Sequence, residues 1–496
     1  MVRFLIFFPV FLFSLELAPL LTKPKSYVRD FYLTEFIRET NSSVLAYKAY
    51  SAMYKQKLKH LKLLSKFNEF KNIYKCVNPS PKDLRNIDIS CVLNNGLWLR
   101  SIARLSFDDL RYLYKNLPAG KEKEAVYAFL YNDFSKIFKN RDLGYYFILN
   151  YPDKKIDQLI DDFSIFEDNY FHLFVKSAVL NNLPLIRLSL NKLNYKRFND
   201  RVKWWLFLNE MKFNNYKRAK KILLSMKKKS SKEYFWLWQL TKKDRYLDKL
   251  LNNRRVDFYT LYAHEEKNIP FDIRTKVTYN SIKNPKYNQT DPWDVLKFWD
   301  EFKKRKDLYS FAKELDNDKS VALKAIVLDK SHRYKVNYFI TPKIYEDKNI
   351  SFKAFVYAIA RQESRFIPAS VSRSYALGVM QMMPFLVRDM GGDVFRQFDY
   401  KENVALSVKH MKWLFSKLKN PLMVAYAYNG GIGFVKRKVI PNFNFKGKFE
   451  PFLSMELVKY DESREYAKKV IANYIIYSQI FGKETTLHQF IKKLGD

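Results

Sequence analysis

Glycine and proline are scarce, with 12 and 17 in 496 residues. So few turn-formers exclude collagen-like, low-complexity and multi-stranded turn-rich architectures. Cysteine is scarcer still, at two, and the six histidines show no metal-ligand spacing, which excludes a structural zinc site. After the first residues, no segment offers 18 uncharged apolar side chains, so a polytopic membrane protein is excluded. Acidic side chains are also few: 51 Asp and Glu face 89 Lys and Arg, a formal net charge of +38. That balance suits nucleic acid, anionic lipid or an acidic wall polymer as partner, or merely Lys-rich solvated faces. Residues 341–496 carry 25 basic and 14 acidic side chains. The rest has nearly the same density, and the absence of a basic tail weakens the nucleic-acid reading.

Bulky apolar residues are abundant. Aromatics make up 17% and hydrophobic residues 47% of the chain, enough to bury a large core and to exclude a wholly disordered chain. The length predicts two or three domains. Arg3 followed by an apolar stretch from Phe4 to Leu15 fits a secretory signal and is too short to span a bilayer, which needs about 20 residues. The expected signal is residues 1–18, ending at Ala18, although Glu16 and Pro19 write the cleavage site poorly. An uncleaved anchor is the alternative. An exported, periplasmic chain is expected, without a stable membrane span once the signal is removed. In an oxidising compartment Cys76 and Cys91 suit a local disulfide worth about 3 kcal/mol by loop-closure entropy. Two buried free thiols are the alternative.

Apolar residues recur at helical spacing, so a mostly α protein is expected. From 19 to 289 the sequence reads as an irregular α-superhelix without a strict repeat. The stretch 202–226 is representative: Trp204, Trp205, Leu208 and Met211 form one face, Asn214-Asn215 a turn, and Ala219, Ile222, Leu223 and Met226 the next face. Residues 290–335 read as a small helical linker domain. Residues 336–496 hold nine of the 12 glycines and most of the motif-like clusters, which marks them as the active domain.

Phe352, Phe355, Val356, Ile359 and Ala360 form an apolar helix face, and Glu363 continues it by three. Pro368 is expected to stop that helix. Desolvation and the helix dipole both disfavour a carboxylate there and raise its pKa, as general-acid chemistry requires. A pairing of Glu363 with Arg361 or Arg365 is the structural alternative. Then come Ser372, the run Gly378-Val379-Met380-Gln381-Met382-Met383-Pro384, Ala427-Tyr428-Asn429-Gly430-Gly431, and Glu456 through Tyr466.

Taken in order, these pieces make residues 336–496 resemble the catalytic domain of the soluble lytic transglycosylases, goose-lysozyme-like enzymes that cleave bacterial peptidoglycan. Glu363-Ser364 meets the family's Glu-Ser pair, and Gly378 to Pro384 its Gly-Leu-Met-Gln-x-Met-Pro run with Val379 for Leu. Ala427 to Gly431 meets its Ala-Tyr-Asn-x-Gly, and Glu456, Tyr460, Glu462, Ser463 and Tyr466 its last motif. Tyr375 departs where the family usually has Gly, a change that could narrow or reshape the cleft. Lys459 and Ala467 depart where it has Pro and Val. The resemblance implies a lysozyme-like catalytic domain and a ring-forming superhelix. It implies cleavage between N-acetylmuramic acid and N-acetylglucosamine without water or cofactor, giving 1,6-anhydromuramyl ends. Glu363 would be acid and then base. Ser372, Gln381, Met383, Tyr428 and Glu456 would line the saccharide cleft, and Tyr466 would sit near the reacting centre. The implied partner is the glycan strand, not nucleic acid. A hydrolytic muramidase on the same fold and a non-catalytic wall-binding scaffold are the alternatives.

Overall fold

The computed structural model describes residues 15–78, 80, 84–86, 88–90, 99–157, 164–282 and 285–495. Most of the expected signal, residues 1–14, and one expected disulfide partner, Cys91, lie outside the described residues. The protein is mostly helical. Among the described residues its strands are a two-residue parallel pair, Ile273–Arg274 with Asn337–Tyr338. Among the described residues no helix is long and apolar enough to cross a membrane.

The chain divides into two compact units, 1–126 and 127–496. In the first, helices Tyr27–Glu39, Ser43–Ser51 and Leu58–Leu64 pack around Leu33, Ile37, Ala46, Ala49 and Leu64. Leu15 and Leu17, just ahead of the expected cleavage point, also pack on this core. The Asp30 carboxylate ties the chain beyond the second helix by accepting from the backbone of Tyr54 at 2.7 Å and Lys55 at 2.9 Å. Cys76 is buried in the last turn of helix Asn68–Val77.

The second unit begins as stacked helix hairpins. The representative pair is α1 (Asp200–Lys212) and α2 (Tyr216–Leu224), with Asn214 turning at φ +58°. All eight apolar residues expected to face inward there are buried. Helix α1 is buried on every side from Val202 to Met211, because it lies between its neighbours in the stack. Helices α3 (Ser231–Thr241) and α4 (Phe258–Glu266) continue the series, and α5 (Val321–Ser331) follows the polar connection.

The boundaries expected at 289/290 and 335/336 both fall inside this second unit. Contacts cross them. The side-chain carbonyl of Gln289 accepts from Ala322 N at 2.9 Å, while its backbone carbonyl accepts from Ala369 N at 3.1 Å. The parallel strand pair joins residues 273–274 to 337–338.

The C-terminal part of this unit is built on α6 (Ile350–Glu363), opened by Asn349, whose side chain accepts from Phe352 N at 3.1 Å. From Ala354 to Arg361 every residue of α6 is buried. The apolar stripe expected from the sequence is therefore only part of an enclosed helix, held mainly against α11 (Asp461–Ile480). Between them in the chain lie α7 (Pro384–Asp389), α8 (Tyr400–Leu418), α9 (Pro421–Gly430) and α10 (Phe452–Glu456).

Candidate functional site

Helix α6 ends on Glu363, and Pro368 is not what ends it. Ser364 leaves the helix and donates through Oγ to Val379 O at 2.8 Å. Arg365 and Phe366 then take left-handed backbones, φ +58° and +67°. Two consecutive non-glycine residues in that region make a costly reversal that only surrounding contacts can hold. The two arginines flanking the helix end turn away from Glu363: Arg365 bonds Asp329, and Arg361 lies 3.8 Å from the same carboxylate while donating to Tyr338 O at 2.5 Å. Glu363 consequently has no ion pair among the described residues. Its partner is Tyr466 on α11, whose hydroxyl donates to Oε1 at 2.6 Å. Burial pushes the Glu363 carboxyl up to about 8; the Tyr466 bond opposes this and the charge of Glu462 adds to it. Near neutral pH the group is a carboxylic acid.

Glu363 opens onto a cavity of about 1410 Å³. Ser372, Gln381, Met383 and Tyr428 line it, so four of the expected cleft residues are brought to one wall system with Glu363. Ser372 Oγ accepts from Ala376 N at 2.9 Å, which folds the 372–376 loop back on itself. Gln381, at φ +51°, donates through Nε2 to Gly378 O at 2.8 Å and Ser370 O at 3.1 Å. Its side-chain carbonyl has no protein partner among the described residues and is left to receive a ligand donor. The Tyr428 hydroxyl donates to Met380 O and meets Ser407 Oγ, both at 2.8 Å. Tyr428 presents its ring, with the hydroxyl already used. Met383 immediately precedes Pro384 at the start of α7.

Glu456 is elsewhere. It is buried at the end of α10, 3.1 Å from Lys468 Nζ, and accepts from the Tyr259 hydroxyl at 2.5 Å. Burial alone would raise its pKa, yet Lys468, Lys232 and the Tyr259 hydroxyl together hold it below the ordinary value. It does not line the cavity of Glu363. The expectation of Glu456 as a cleft residue therefore finds no support in this geometry, because its oxygens are spent on long-range partners. Tyr375 likewise stays out of the cavity: it is buried at φ +74°. That left-handed backbone accounts for the glycine of the family pattern.

Asn403, Phe385 and Trp413 carried no signal in the sequence, whereas Gly378, Asn429 and Tyr460 stand in its motifs. Asn403 on α8 is fully buried and pins the Gly378 turn: Nδ2 donates to Leu377 O at 3.0 Å and Oδ1 accepts from Met380 N at 2.7 Å. Gly378 itself turns at φ +79°, and a Cβ there would stand 2.2 Å from Gln397 O. Asn429 accepts from Ser463 Oγ at 2.6 Å and donates to Glu462 at 3.3 Å, tying the end of α9 to the start of α11. Phe385, Trp413 and Tyr460 are exposed aromatics on the cavity rim, and their apolar faces can receive sugar rings. Among the described residues no group of three or more His, Cys, Asp or Glu could hold a metal.

A helical domain that keeps one carboxyl neutral in an aromatic-rimmed cleft can supply acid catalysis. Residues 341–448 match the family model described as the transglycosylase SLT domain. It is 27% identical over 150 residues to the soluble lytic murein transglycosylase of Salmonella typhimurium, across 28% of this chain and 22% of that protein. To the soluble lytic murein transglycosylase of Escherichia coli K12 it is 26% identical over 145 residues, across 27% and 22%. The matched stretch thus spans about a fifth of those relatives' length. Among solved structures, the lytic transglycosylase Slt of Pseudomonas aeruginosa aligns at TM-score 0.48 and 15% identity over 93% of this chain and 80% of that one.

Proposed function

We propose that the protein is a peptidoglycan lytic transglycosylase acting on the N-acetylmuramic acid–N-acetylglucosamine β-1,4 bond in the periplasm. The observation that carries this reading is Glu363: a carboxyl raised to about 8, bonded to Tyr466 at 2.6 Å, at the wall of a 1410 Å³ cleft. Neutral Glu363 gives its proton to the glycosidic oxygen as the C–O bond breaks. The muramyl N-acetyl carbonyl stabilises the cationic anomeric carbon. Glu363, now a carboxylate, takes the proton of the muramyl 6-hydroxyl, whose oxygen closes the 1,6-anhydro ring. One residue thus serves both steps, and the second nucleophile is already held in the cleft, which favours it over water. Tyr466 orients the carboxyl and steadies its ionised state.

Ser372, Gln381, Met383 and Tyr428 are assigned to saccharide binding in this reading, with the active domain at 336–496. Export by the first residues, to Ala18, and pairing of Cys76 with Cys91 belong to the same proposal. Mass spectrometry of sacculi digested by the purified protein tests it. Muramyl ends lighter than hydrolysed ends by one water, about 18 Da, are expected, and Glu363→Gln should release almost none. Reducing muramyl ends alone would establish a hydrolytic muramidase instead.

A further inference from the structure

On the other side of the same helix end lies a second cavity, of about 460 Å³, in the range of small-ligand sites. Gln362 lines it while the adjacent Glu363 faces the cleft, and Glu465 lines it while the adjacent Tyr466 bonds Glu363. Its walls come from the N-terminus of α3, the loop before α4 and its first residues, Tyr334 and Asn337 beyond α5, the end of α6, and α11 from Glu465 to Asn473. Positive charge prevails there. Arg361 and Arg365 share a single carboxylate, Asp329, which leaves one guanidinium charge uncompensated. Lys468 sits between Glu456 and Glu465, each at 3.1 Å, and Lys232 adds the second cation to that group.

Arg255 and Lys469 also line the cavity, and neither side chain makes a hydrogen bond or ion pair among the described residues. Arg255 rests with its Cζ 5.3 Å from the centre of the Tyr334 ring. The carboxylates left to set against them are Asp257, already bonded to Tyr259 N and Thr260 N at 2.9 Å, and Glu233, 3.8 Å from Lys232. The Gln362 amide is likewise unbonded among the described residues. Open guanidinium edges suit planar carboxylates, and an open amide suits a peptide group.

We infer that this second cavity binds a short acidic peptide through its carboxylates, at a site separate from the glycan cleft. The inference stands on the cavity's own chemistry and not on the reaction proposed for Glu363. Calorimetric titration of the full chain, at fixed ionic strength, with N-acetyl-Glu-Glu and separately with inorganic phosphate tests it. The peptide should bind, and Arg255→Gln combined with Lys469→Gln should weaken it at least tenfold, with the thermal midpoint and glycan turnover unchanged. Gln362→Ala should weaken it several-fold. Failure of the peptide to bind, or undiminished binding by the double variant, would overturn the site. Phosphate binding as tightly as the peptide would overturn the ligand class.

Discussion

A carboxyl kept neutral by burial leaves a mark on stability as well as on rate. Unfolded, the Glu363 side chain ionises near its ordinary 4.5; folded, it holds its proton to about 8. Between those values the folded state binds more protons than the unfolded one. Stability therefore falls as pH rises through the window, and the loss is complete above about 8. Glu363→Gln removes the titration. The variant should gain roughly 2 kcal/mol relative to wild type between pH 5 and pH 8 in urea unfolding, after allowance for partial solvent screening. A difference independent of pH would show that the carboxyl is ionised in the folded protein. The same group sets the rate: kcat/KM should decline as pH rises through about 8, where the acid is lost. Tyr466 acts on that limb. Its hydrogen bond lowers the Glu363 pKa, so Tyr466→Phe should move the decline to higher pH and reduce turnover about 10–100-fold. An unmoved limb would show that Tyr466 only packs.

At the scale of elements, the cleft wall depends on one tight turn. The Cβ of Gly378→Ala would stand 2.2 Å from a backbone oxygen, Gln397 O, at φ +79°. Backbone cannot swing aside like a side-chain end, so overpacking and the left-handed penalty add to about 3 kcal/mol. Thermal unfolding should show this loss, together with weakened glycan binding, since Gln381 hangs from the same turn. This turn also shows what local sequence conveys. The glycine, the helix that carries Glu363 (though not its end) and the hairpin 202–226 are legible because each is written in contiguous residues by period or by a missing Cβ. The partners that hold them are not. Asn403 reaches Leu377 from 26 residues away, and an isolated Asn on a helix carries no mark of that role. Only the family resemblance assigns Glu456 to the cleft, through its place in the last motif with Tyr460 and Glu462. Its true partner Tyr259 stands 197 residues earlier, beyond any spacing argument. The tyrosine at 375 similarly departs from the family pattern without touching the cavity, since its side chain is buried instead.

For the whole molecule, that misplaced glutamate bears on how the second unit holds together. Glu456 on α10, Lys468 on α11 and Tyr259 on α4 form one buried cluster, with Lys468 Nζ 2.8 Å from the Tyr259 hydroxyl. It links the end of the helical stack to the domain carrying Glu363, across both expected boundaries. Removing Lys468 leaves the buried Glu456 without its ion-pair partner at 3.1 Å. Lys468→Met should therefore cost about 3–5 kcal/mol, whereas Lys468→Met with Glu456→Leu should come within about 1–2 kcal/mol of wild type. Hydrogen exchange in rising urea reads where the cost falls. If 127–496 unfolds as one cooperative body, Lys468→Met should lower together the urea concentrations at which α1 and α6 lose protection. The double variant should restore both. Were only α6 affected, the stack and the Glu363 domain would be independent folding units that meet at this cluster, and the boundaries near 289 and 335 would be energetic as well as positional.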